Sequence, residues 1–335
     1  MMSKPVKTMV VIPDKADVQA SLEILKAGHD RYFLSSEMSD DELLSMSPKD
    51  WYRVLDQNVY GQDEAKRKAS LIMWKHLHGI RSTSLFIGLS GCGKTEIWRV
   101  IKNIYTPIII ADAGTITNDG WSGRQKYYSA LKEISFSRIP AKWWIVVYDE
   151  FDKCVQPRYS ASRENVSYSI QAEMLKVIEG TEINVAKADY DPEIIDTSKI
   201  SFVFLGAFIS LLKEEDTSYG FNPCRQQAKD RTITIEDVIT FGLRPELAGR
   251  IESICQMNEL SEEDLYAICL NPYYGPAAKL SRLYSRIITM TKATARRISH
   301  EAARSGLGAR YLFSLASNMT DDIIFEDPDI KKIIL

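Results

Sequence analysis

The sequence predicts an α/β fold: a parallel β-sheet flanked by helices, joined to a second, smaller, mostly α-helical unit. Three observations predict it. Short apolar stretches alternate with amphipathic helical ones from residue 49 to about 256, the pattern of βαβ units. The first of those stretches runs into a glycine-rich turn and then a helix. After about residue 257 the strands thin out and helical periodicity takes over.

Taken in order, residues 1–48 read as an N-terminal extension. A short helix is expected near 17–27, where Val18, Leu22, Ile24 and Leu25 fall close to one face. The acidic, turn-rich "SSEMSDDELLSMSPKD" follows, with Pro48 as a boundary. "DEAKRKASLIMWKHLHGI" reads as an amphipathic helix ending near Gly79. The strand candidates are "SLFIG" (84–88), "PIIIADA" (107–113), "WWIVVYDE" (143–150) and "ISFVFLGAF" (200–208). Residues 49–256 therefore form the larger predicted domain and 257–335 the smaller.

Composition narrows the function classes. The 335 residues are 45% hydrophobic and 26% charged, enough apolar material for two cores. The net charge of −3 lacks the basic surplus expected of a general nucleic-acid binder. Five cysteines, with no C-x-x-C spacing, give no zinc or disulfide framework and fit a reducing compartment. No apolar run approaches 18 residues and no signal-peptide core opens the chain, so a cytoplasmic, membrane-free protein is expected.

"GLSGCGKT" comprises Gly88, Leu89, Ser90, Gly91, Cys92, Gly93, Lys94 and Thr95. It fits G-x-x-x-x-G-K-[ST] at every fixed position. Such a turn aims successive backbone N–H groups at phosphate oxygens, and the helix start behind it adds a partial positive charge. Lys94 would reach the β- and γ-phosphates of a nucleotide such as ATP, and Thr95 would hold Mg²⁺. Glu96 follows directly on the same helix, "TEIWRVIKNIY". Asp149 and Glu150 end the apolar strand "WWIVVYDE", where carboxylates emerge at the carboxyl edge of a sheet. Asp149 would support the Mg²⁺ shell and Glu150 would polarise the attacking water. Arg250, ending "FGLRPELAGR", and Arg310, ending "GLGAR", read either as cations for transition-state charge or as helix-end arginines that complement the helix dipole.

Several blocks in one order over about residues 48–325 resemble the ClpX-type AAA+ unfoldases of the Clp/HslU family. They are "LDQNVYGQDEAKR", "GLSGCGKT", "VVYDEFDK", "MLKVIEGT", "IDTSKISFVFLGAF", "FGLRPELAGRI", "NELSEEDL" and "GLGAR". The resemblance implies an AAA+ large domain followed by a small lid domain. It implies an ATPase that works as a homohexameric ring and threads protein substrates through a central pore. By the same resemblance Val59 and Tyr60 pack on adenine, Arg250 is an arginine finger and Arg310 the sensor-2 arginine. "GWSG" (Gly120, Trp121, Ser122, Gly123) stands where the family carries its aromatic pore loop, with tryptophan in place of the usual tyrosine. A loop tryptophan taken alone reads as one folded back onto the core. The resemblance instead implies a flat, rotamer-poor grip on a threaded chain.

Departures are informative. Residues 1–48 contain no cysteine, so the family's zinc-binding N-terminal domain is expected to be missing and no zinc is expected. "NVAKADYDPEIIDTSK" replaces the family's basic tag-reading loop with acidic residues, which disfavours tags ending in a carboxylate. The end of "ISFVFLGAF" offers no polar sensor-1 side chain. Tyr219, Gly220 and Phe221 in "SYGFNP" read either as a loop docking on a ClpP-like peptidase or as a tight turn with two packed aromatics. A stand-alone remodelling chaperone, and more distantly a nucleic-acid-handling AAA+ ATPase, are the alternatives.

Overall fold

The computed structural model describes residues 38–116, 130–159, 163, 165–185, 193–212 and 232–335. The pore-loop candidates Gly120, Trp121, Ser122 and Gly123, the docking candidates Tyr219, Gly220 and Phe221, and the helix expected near 17–27 lie outside the described residues.

Nine strands are found among the described residues. They are β1 (Thr83–Ile87), β2 (Ile108–Asp112), β3 (Ile145–Asp149), β4 (Glu182–Asn184), β5 (Ile194–Asp196), β6 (Ser201–Gly206), β7 (Ser253–Gln256), β8 (Ile287–Thr289) and β9 (Lys332–Ile334). Five form one sheet in the order β2-β3-β6-β1-β7, and every pairing in it is parallel. The four expected strands are all present; β7 is an addition. Its sequence, "SICQ", is too short and too polar to announce itself as a strand. It is drawn in by pairing with the edge of β1, Leu85 against Ile254 and Phe86 against Cys255.

A parallel sheet covered on both faces needs strands that are apolar on both sides. The twofold side-chain period divides them. Leu85, Ile87, Val146, Tyr148, Phe202 and Phe204 enter one core, and Phe86, Ile145, Val147, Val203 and Leu205 enter the other. Against the second face lies the helix Lys94–Ile104, which buries Ile97, Trp98 and Ile101. Trp98 meets Phe86 edge to face, with ring centroids 5.9 Å apart.

Ahead of the sheet, Asp40–Ser45 is a short helix with Ser39 and Glu42 forming a reciprocal capping box. Its Leu43 is buried in the same core as Trp51 and Leu55. Pro48 is the first residue of the helix Pro48–Asn58, where its fixed φ and missing N–H are tolerated. The helix Asp63–Leu77 follows.

Beyond β7 the chain is mostly helical. Ser261 and Asp264 cap the helix Glu262–Leu270. Leu265, Ile298 and Leu312 share a core across this helix, Lys292–Ser305 and Ala309–Glu326. Leu280 of the helix Pro276–Tyr284 packs with Ile288 and Ile333 of the parallel β8–β9 pair. No helix of the described residues is long and apolar enough to cross a membrane.

Candidate functional site

Strand order decides what meets what. β6 lies between β1 and β3, so the turn after β1 and the carboxylates after β3 open at the same carboxyl edge with β6 between them. A cleft of about 580 Å³ occupies that edge and is bordered by residues of the C-terminal helices.

Glycines shape the turn from Gly88 to Gly93. Gly91 and Gly93 adopt φ of +76° and +108°, the left-handed region that only glycine enters freely. The Lys94 ammonium is folded over the turn and donates to the carbonyls of Gly88 and Leu89, the latter at 2.9 Å. Ser90, Cys92, Thr95 and Glu96 also line the cleft, and burial raises the Cys92 thiol above its ordinary pKa.

Thr95 and Asp149 come together: the threonine Oγ1 donates to Asp149 Oδ2 over 2.6 Å. The other oxygen, Asp149 Oδ1, accepts from the Glu150 N–H at 2.9 Å. Glu150 has φ +58°, an uncommon value for a non-glycine residue, and it lines the cleft beside Asp149. Between the two walls, β6 ends in Gly206, followed by Ala207. A Cβ on Gly206 would come within 2.3 Å of the Phe208 ring, and the Ala207 N–H donates to Asp152 Oδ1 at 3.0 Å. The end of β6 thus meets the cleft with small residues.

Val59, buried, and Tyr60, half-buried, line the opposite end. They follow the helix Pro48–Asn58 and are fixed from behind by Gln62, which the sequence did not single out. Gln62 Nε2 donates to the carbonyls of Cys92 (3.1 Å) and Asn258 (2.8 Å), and its Oε1 accepts from the Asn258 N–H (3.0 Å). One buried amide therefore ties together this segment, the glycine-rich turn and the chain after β7.

The C-terminal helices contribute Arg310, Tyr274 and Lys279. Arg310 is exposed on the first turn of Ala309–Glu326. That turn rests on the glycine-rich loop: Ala309 N–H donates to Gly91 O at 3.2 Å. A Cβ on Gly91 would stand 2.2 Å from Leu307 O, and one on Gly308 would stand 2.9 Å from Gly91 O. Neither residue can carry a side chain there. Lys279 binds Glu96 across the cleft at 2.7 Å, and Tyr274 is held by a turn in which Asn271 Oδ1 accepts from the Tyr273 and Tyr274 N–H groups. Gln62, Tyr274 and Lys279 carry no local signal, because each acquires its role from a partner distant in sequence.

Among the described charged candidates, Arg250 stands apart. It lies outside the cleft of its own chain, exposed, with Nη2 2.8 Å from Glu179 Oε1 at the end of the helix Val166–Ile178.

The donor set fits a hard divalent cation such as Mg²⁺: a hydroxyl and a carboxylate in contact, both oxygen donors, beside the glycine-rich turn.

Comparison with known proteins agrees with this geometry. The chain is 29% identical over 324 aligned positions to the ATP-dependent Clp protease ATP-binding subunit ClpX of Treponema denticola, covering 85% of this chain and 78% of that protein. It is 28% identical over 329 positions to the subunits of the same name from Borrelia duttonii and Borrelia recurrentis, covering 86% of this chain and 76% of each. A model of the AAA domain (Cdc48 subfamily) matches residues 81–254, over half of the sequence and the whole span from just before β1 to β7. The chain belongs to the AAA domain family.

Proposed function

We propose that the chain is an ATP-dependent protein unfoldase of the ClpX type. One observation carries the reading: the Thr95–Asp149 hydrogen bond, Glu150, the glycine-rich turn and Arg310 converge on one cleft. The relatives, ATP-binding subunits of Clp protease, point the same way.

In this reading the backbone N–H groups of Gly91 to Thr95 receive the phosphates, and Lys94 exchanges the Gly88 and Leu89 carbonyls for phosphate oxygens. Thr95 and Asp149 would hold Mg²⁺, which would supply charge neutralisation on the phosphates when bound. Val59 and Tyr60 face the base. Glu150 accepts the proton of the attacking water, and Arg310 meets the transferring phosphate from the lid side. Arg250, outside its own cleft, acts on the nucleotide of the next subunit in a closed homohexameric ring. Residues 49–256 form the motor domain and 257–335 the lid.

Trp121 grips substrate polypeptide in the channel of that ring, and Tyr219, Gly220 and Phe221 serve a ClpP-like peptidase. The test combines two variants. Glu150→Gln should bind ATP without turnover and retain client protein, which mass spectrometry identifies. Trp121→Ala should hydrolyse ATP yet fail to unfold that client. Unfolding at the wild-type rate by Trp121→Ala overturns the threading mechanism.

A further inference from the structure

Glu150 is held by more than its own strand. Its Oε2 pairs with the Lys153 ammonium one turn ahead, at the start of the helix Asp152–Val155, and both side chains line the cleft. Beneath the pair runs the tight turn Ala113–Thr115 that follows β2. Gly114 in that turn is the floor. A Cβ there would stand 2.8 Å from Lys153 Cδ, 3.0 Å from Asp112 Oδ1 and 3.2 Å from Glu150 Oε2. Gly114 has no left-handed φ, so its backbone conformation is open to any residue. What a side chain would disturb is the Glu150–Lys153 pair and the Asp112 carboxylate beside it.

The other carboxylates near Lys153 are already engaged. Asp112 Oδ1 accepts from the Gly114 N–H at 2.8 Å, and Asp152 Oδ1 accepts from the Ala207 N–H at 3.0 Å. Lys153 is left to Glu150, and the contact raises its affinity for its proton. Glu150 Oε2 is thereby occupied, while its backbone is fixed by the N–H bond to Asp149 Oδ1. The carboxylate enters the reaction with its rotamers already restricted and one oxygen, Oε1, left for water. Such prior ordering is a direct route to rate.

We propose that Lys153 is the positioning residue for Glu150, seated by the side-chain-free turn at Gly114. The proposal rests on the reading of Glu150 as the group that polarises water.

The test is steady-state ATP hydrolysis by Lys153→Met, Lys153→Arg and Gly114→Ala, with binding of a non-hydrolysable ATP analogue and melting temperature measured on each. Loss of a solvent-exposed ion pair corresponds to about a two- to fivefold fall in kcat. Lys153→Met should show that fall with unchanged analogue affinity. Lys153→Arg should recover most of it. Gly114→Ala should lower kcat with Lys153 still present and with an unchanged melting temperature. A kcat for Lys153→Met that is unchanged or raised overturns the proposal. So does a loss of analogue affinity that parallels kcat, or no recovery with arginine. Glu150→Gln in the same series separates the two levels. If it hydrolyses ATP normally, the reading of Glu150 itself falls; if it is inactive while Lys153→Met is unimpaired, only the positioning role falls.

Discussion

Thr95 and Asp149, 54 residues apart in sequence, share a hydrogen bond of 2.6 Å. The contact joins the first turn of the helix behind the glycine-rich loop to the end of β3, across the intervening β6. It brings two hard oxygen donors together beside the glycine-rich turn. Asp149→Asn should therefore uncouple nucleotide binding from magnesium. Wild-type affinity for ATP, measured by calorimetry, should fall on adding a chelator, and the variant should already sit at the lower value. Loss of a metal-site partner typically costs about 10- to 100-fold in affinity. A magnesium response in Asp149→Asn equal to that of wild type would remove Asp149 from the metal site.

Arg250 bonds Glu179 and stands apart from the cleft of its own chain. If it completes a neighbour's site, its loss is repairable by a neighbour. Arg250→Ala should lower hydrolysis by about 10³-fold or more with ATP binding nearly intact. Mixed with Glu150→Gln subunits, themselves inactive, it should regain activity, since some interfaces then pair an intact Glu150 with an intact Arg250. Two inactive variants that stay inactive after mixing, despite co-assembly, would place Arg250 elsewhere in the mechanism.

Gln62 is buried and makes three hydrogen bonds to backbone groups of two distant segments. Gln62→Ala would strand those groups without water, and each unsatisfied buried group costs about 1–3 kcal/mol. The expected loss is about 3 kcal/mol or more in urea unfolding, together with weaker nucleotide binding because the Cys92 carbonyl lies in the glycine-rich turn. Gln62→Glu should be no better, because a carboxylate cannot donate to the Cys92 and Asn258 carbonyls.

His76 supplies an acid-side titration. It is buried in the helix Asp63–Leu77, with Nδ1 3.0 Å from Ser201 Oγ, and burial pushes its pKa down to about 4 from 6.5. Between those values the unfolded chain carries the extra proton and the folded chain does not. Stability attributable to His76 is therefore intact above pH 6.5 and declines as pH falls toward 4, by about 3 kcal/mol at most. His76→Asn should flatten that part of the stability profile. An unchanged slope would show that other groups carry it.

How much of this was readable in advance differs element by element. The glycine-rich turn, Asp149 and Glu150 were legible because phosphate and metal chemistry demand fixed residue types at fixed spacing between a strand and a helix. The four apolar strands were legible because burial on both faces leaves little choice of residue. β7 was not, since its strand character comes from pairing with β1 rather than from its own four residues. Gln62, Lys279 and Tyr274 were hidden for a related reason. An amide, an ammonium and a phenol become site residues only when chain closure delivers Asn258, Glu96 and the cleft to them. Lys153 was quoted within its block yet carried no role, because its meaning depends on the bare turn at Gly114 that lies beneath it.

The contact of Gly91 with Gly308 has a mechanical side. Two backbones touch there with no intervening side chain to deform, so the joint has almost no give. The second backbone leads directly into an 18-residue helix, a rod of about 27 Å. A shift of the glycine-rich turn would be passed to that rod without a side chain to absorb it. The chain's last long helix therefore starts from a direct backbone contact rather than from a deformable side-chain one.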